Sequence, residues 1–167
     1  MAGKNQTKKW AIPVMAAICL LCLAMMAVAL VYTQTQAPRE FTPPPFEEMA
    51  VAGTPDVPEE LGWQELDAQV FRVSVCGAVM LEGSNADVWL TNPEDNTVWL
   101  KLRILDADGA VLGETGLIRP GEYVQSVTFD MVPAPGTMIS MKVMAYEPDT
   151  YHSGGAVTLN TTIQSGG

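Results

Sequence analysis

Beyond Tyr32 the chain holds one cysteine, Cys76, one histidine, His152, and six basic side chains against nineteen acidic ones. Each scarcity removes something. A single cysteine closes no disulfide inside a domain, so a domain outside the cytoplasm must stand on its own apolar core. One cysteine and one histidine supply no paired zinc ligands. The six bases are Arg39, Arg72, Lys101, Arg103, Arg119 and Lys142, which leaves this part of the chain with a net charge of −13. Such a surface repels nucleic-acid phosphates and anionic lipid headgroups, and argues against both as partners. Gly-x-Ser-x-Gly and phosphate-cradling glycine loops are also missing. Carboxylates are plentiful, but no spacing sets two of them across a cleft as glycoside hydrolysis requires. The expectation is a protein that is not an enzyme and takes no cofactor.

Charge is missing altogether from Trp10 to Tyr32, 23 residues that read "WAIPVMAAICLLCLAMMAVALVY". A helix of that length spans roughly 35 Å, enough for the hydrocarbon core with some tilt. A secretory apolar segment is shorter, about 7 to 15 residues. Ala27-Val28-Ala29 has the small-x-small form of a cleavage site, so a removed signal is the competing reading. The length favours a retained anchor. Pro13 is expected in the first helical turn, where a missing N–H costs little. Lys4, Lys8 and Lys9 precede the run, whereas the first charges after it, Arg39 and Glu40, cancel. By the positive-inside rule residues 1–9 form a cytoplasmic tail, and everything after the single-pass helix at 10–32 lies outside the cell membrane.

Residues 33–61 hold six of the twelve prolines, with Glu47, Glu48, Glu59 and Glu60 adding like charge. Proline removes backbone donors and disfavours both helix and sheet. The segment reads as an acidic stalk, extending at most on the order of 90 Å at about 3.1 Å per residue.

From Gly62 the chain shows β-rich runs separated by turn signals, and helical periodicity is lacking apart from a possible turn in "EELGWQELDA" (59–68). "AQVFRVSVCGAVML" (68–81) breaks at Gly77. "ADVWLTN" (86–92) sets Val88 and Leu90 on one face. "TVWLKLRIL" (97–105) points Val98, Leu100, Leu102 and Ile104 inward, and Trp99, Lys101 and Arg103 outward. "AVLGETGLI", "YVQSVTF", "TMISMKVMAY" (137–146) and "AVTLNTTI" (156–163) follow. Asp-Gly and Pro-Gly turns separate the first of these from its neighbours. About seven short strands in roughly 100 residues predict an all-β domain at 62–167. The preferred architecture is an immunoglobulin-like antiparallel β-sandwich, with a small barrel as second choice. The stretch from "DADGAVLGETGLIRPGEYVQSVTF" to "MKVMAYEPD" is similar to small, uncharacterised, membrane-anchored, immunoglobulin-like sandwich proteins of Gram-positive bacteria. The resemblance spans residues 86 to 163. It implies an extracellular structural or interaction module and transfers no functional residue.

The strand period decides which candidate side chains can meet. Met138, Met141 and Met144 resemble a copper motif, but alternation turns Met141 away from the other two. Asp106, Asp108 and Glu114 hold a fragment of a calcium loop and are better explained by the Asp-Gly turn. No metal site is assigned from either, and a weak surface calcium site, with Glu94 and Asp95 in another loop, is the lesser alternative to the turn. The expected interaction surface is Trp99 with Lys101 and Arg103 on one strand face, together with Tyr151 and His152 in the loop "EPDTYHSGG". An exposed tryptophan beside cations suits a protein or sugar surface. For the tryptophans themselves packing is the preferred reading, with one of Trp89 and Trp99 filling the sandwich core and the other lying under a loop. The chain is therefore expected to be a cell-surface interaction or assembly module. It would touch membrane lipid through its helix, and would bind a protein partner or its own kind through a sheet face, an edge or loops. A carbohydrate-binding module for wall or host glycans is the alternative, and an exported metal-binding protein a lower one.

Overall fold

The computed structural model describes residues 7–35 and 41–165. It has two compact units, Met1–Thr42 and Pro43–Gly167. The first unit contains one helix, α1 (Thr7–Thr35). Its stretch Pro13–Val31 is long and apolar enough to cross a membrane, with a mean hydropathy of 2.9 and none of it buried by protein. Because α1 begins at Thr7, Pro13 falls past the first turn, inside the helix, where its ring displaces a backbone hydrogen bond.

The second unit is a β domain of ten strands. They are β1 (Val51–Ala52), β2 (Trp63–Asp67), β3 (Arg72–Cys76), β4 (Val79–Glu82), β5 (Asn85–Asn92), β6 (Trp99–Leu105), β7 (Val111–Glu114), β8 (Glu122–Thr128), β9 (Met138–Tyr146) and β10 (Ser153–Ser165). The hydrogen-bonded order is β1-β8-β5-β4-β10-β9-β6-β7, with β3 pairing β5 and β2 pairing β3. This is one mixed sheet curled on itself. The core it wraps is drawn from both halves of the path: Val73, Val75, Val88, Leu90 and Val127 from one, Leu100, Leu102, Ile104, Met141 and Val143 from the other. The period-two patterns noted above supply these residues. On β6, for example, Leu100, Leu102 and Ile104 are fully buried.

The observed sheet departs from seven antiparallel strands in ways the local chemistry explains. Gly77 splits the first expected run into β3 and β4. β10 is 13 residues long, about 43 Å at strand rise, and serves both halves. It pairs antiparallel with β9 from Ser153 to Thr162 and parallel with β4 from Ile163 to Ser165. That parallel pair makes the sheet mixed. In 59–68 a 3-10 turn at Glu59–Leu61 ends at Gly62, whose φ of 60° reverses the chain. β2 then forms where the sequence predicts only a helical turn.

The second half of the proline-rich segment belongs to this unit. The Pro45 carbonyl accepts from Leu117 N–H at 2.9 Å, and Glu47 N–H donates to the Leu117 carbonyl at 2.9 Å. Ile118 in turn exchanges both backbone bonds with Leu100 of β6. A few residues on, Val51 and Ala52 pair with Tyr123 and Glu122 of β8. Residues 45–52 therefore run from the β6 side of the curl to the β8 side and close it. Gly116 permits this approach: a Cβ there would lie 2.5 Å from the Glu47 nitrogen. Only residues 36–42 remain between α1 and the β unit.

Candidate interaction surface

Trp99 opens β6 on the outer face, opposite Tyr146 of β9. Neither it nor Trp89 lies in the core; both are half-buried. Phe46 meets the Trp99 indole edge-on, with ring centroids 4.8 Å apart. Tyr151 packs against it at 5.3 Å. The loop after β9 makes the second contact possible. Tyr151 takes a φ of 56° and its N–H donates to the Glu147 carbonyl, while Glu147 N–H donates to the His152 carbonyl. The left-handed turn directs the tyrosine ring back over the sheet. His152 is exposed at the end of that turn. Its own N–H is 3.4 Å from Thr150 Oγ1.

The cations expected beside Trp99 are committed elsewhere. Lys101 Nζ donates to Glu114 Oε1 at 2.8 Å, and Arg103 Nε donates to Glu114 Oε2 at 2.9 Å. The Lys101 side chain is only 8% exposed, although it lies on the outer face of β6. Burial would raise the Glu114 carboxyl, but hydrogen bonds and charge from Lys101 and Arg103 outweigh it and hold it below the ordinary carboxylate range. The cation at the aromatic cluster is Arg119, its guanidinium 3.7 Å from the Phe46 ring centroid. Such stacking over an aromatic face is favourable by about 0.5–1 kcal/mol at exposed sites.

Trp99 and Tyr151 are thus brought together, whereas Lys101 and Arg103 join a separate clamp on Glu114. Phe46 and Arg119 are absent from the surface that strand alternation predicts. The one available signal is a phenylalanine in the middle of a segment that reads as a spacer.

A second aromatic group lies on β5 and β8. Trp89 stacks on Tyr123 with centroids 6.1 Å apart. It occupies a β-bulge between Asp87 and Leu90 and has a φ of 47°, rare for a bulky side chain. Its indole Nε1 is buried without a hydrogen-bond partner among the described residues. Among the described residues, no group of three or more His, Cys, Asp and Glu side chains is placed to hold a metal ion. Comparison with protein-family models, with curated proteins and with solved structures finds no match.

Proposed function

We propose that this chain is a cell-surface interaction module. It is held in the cell membrane by α1 with its N-terminus inside, and it binds a protein partner through the outer face around Trp99. On this reading the curled sheet is an immunoglobulin-like sandwich in its packing principle, with two half-sheets sharing one core, as in anchored surface proteins of Gram-positive bacteria. The observation that carries the proposal is the cluster of Phe46, Trp99 and Tyr151 beside Arg119. Its rings are fixed by one another and remain half-buried rather than covered. Aromatic and arginine side chains held rigidly at a surface are the residues that dominate protein interfaces. The neighbouring carboxylate is already neutralised by Lys101 and Arg103, which lowers the desolvation cost of covering that face.

The test is crosslinking in intact membranes followed by purification of the full chain. A fixed protein partner is expected with the wild type. Trp99→Ala is expected to lower its recovery on the order of tenfold or more, as truncation of a central interface tryptophan does. Undiminished recovery with Trp99→Ala would refute this placement of the interface. Glycan-array binding that disappears in the same variant would replace the protein partner with a sugar.

A further inference from the structure

A different surface carries an inference about charge. Trp63 opens β2, the outermost strand beside β3, and the residue is 38% exposed. Its indole is nevertheless fixed, because Nε1 donates to the Trp89 carbonyl at 3.2 Å. That carbonyl is available because the bulge at Trp89 takes it out of the β5–β8 ladder; Thr91 Oγ1 lies 3.3 Å from it as well. Backbone in such sparsely populated conformations persists where surrounding contacts demand it. Here the unusual conformation at Trp89 holds an exposed tryptophan in one orientation.

That tryptophan walls an open cleft of about 430 Å³, lined also by Pro55, Asp56, Pro58 and Glu59. Asp56 and Glu59 are exposed carboxylates, and no cationic side chain lines the cleft. Nor does the surrounding domain supply free positive charge in quantity: Arg72, Lys101, Arg103 and Arg119 are each paired to a carboxylate. An immobilised indole beside two exposed carboxylates is chemistry for a cation.

We infer that the Trp63 cleft receives a lysine or arginine side chain from a basic segment of a protein partner, with the cation against the indole and its charge met by Asp56 and Glu59. This surface is separate from the Trp99 face, so the two proposals fail independently.

The test uses the full chain in nanodiscs of zwitterionic lipid, titrated against a fluorescent peptide of alternating arginine and glycine and followed by anisotropy. A matching peptide with citrulline for arginine is the charge control. Saturable binding of the arginine peptide alone is expected at low salt, weakening steeply as salt is raised. Trp63→Ala should weaken it at least about threefold, and Asp56→Asn with Glu59→Gln about tenfold. Trp99→Ala should leave it unchanged. The Asp56 and Glu59 changes lie at exposed positions and leave the Trp63–Trp89 bond intact, so they report on the cleft even where Trp63→Ala loosens β2. Three results would overturn the inference. One is equal binding by wild type and all cleft variants, which would mean attraction by net charge alone. Another is equal binding of the citrulline peptide. The last is no binding of the arginine peptide, including the case where a neutral oligosaccharide binds in a Trp63-dependent way instead.

Discussion

Two carboxylates in this domain respond to acid in opposite directions. Asp87 sits on β5, half-buried. Burial first, and the charge of Glu82 second, raise its carboxyl above the usual range. The folded state therefore holds that proton more tightly than the unfolded chain does, and stability from this group grows as pH falls through the folded value. At neutral pH the ionised Asp87 is destabilising. Glu114 is the reverse case: its contribution is complete above the unfolded carboxylate range and is lost as pH falls through its lowered folded value. The same Asp87 charge, after burial, helps push the Cys76 thiol up to about 12, so this lone cysteine is an inert core residue rather than a nucleophile. Asp87→Asn is expected to raise the thermal midpoint by a few degrees at pH 7, with the gain shrinking as the pH is lowered toward 4. Thermal unfolding followed by circular dichroism across that range checks it. A lower midpoint at pH 7 would show that Asp87 makes a contact worth more than its desolvation.

At the scale of elements, the strands with strict alternation are legible in the amino-acid sequence. β6 and β9 lie close to where Leu100, Leu102, Ile104, Ile139, Met141 and Val143 place them, because burial on one face imposes a period of two. The elements that escape such a reading are held by backbone bonding and close approach rather than by burial of alternate side chains. Residues 45–52 carry no alternation and four prolines lie at or just before and after them, yet they close the sheet through Leu117 and β8. β2 is hidden behind a polar sequence and is held by its pairing with β3. The closing segment depends on Gly116, whose N–H donates to Glu47 Oε2 at 2.6 Å and whose missing side chain leaves room for the Glu47 backbone. Gly116→Ala is therefore expected to release residues 45–52, at a cost on the order of 1–3 kcal/mol. Amide exchange of Glu47 and Leu117 should quicken sharply, while that of Leu102 in β6 changes less. Unchanged protection at Glu47 and Leu117 would mean that the segment accommodates the methyl group and is not tightly held.

For the whole molecule, composition is more informative than any motif. One apolar run and one β-rich region are both present in the structure as separate units. That residues 43–61 of the proline-rich stretch belong to the β unit is not legible, because proline content reports what a segment cannot form internally and not what it can lie against. The Trp99 surface is legible in part for the same reason. Strand alternation puts Trp99 on the outer face, but the pairing of Lys101 and Arg103 with Glu114 and the approach of Phe46 come from contacts distant in sequence. Both proposed binding surfaces presuppose that the acidic β domain lies outside the cell and the N-terminal lysines within. Lysine labelling tests that arrangement most directly, since Lys142 is exposed on β9 while Lys8 and Lys9 precede the apolar span. With a membrane-impermeant amine reagent on intact cells, mass spectrometry should find Lys142 modified, and Lys8 and Lys9 modified only after permeabilisation. Lys142 left unmodified until the membrane is opened would contradict the account.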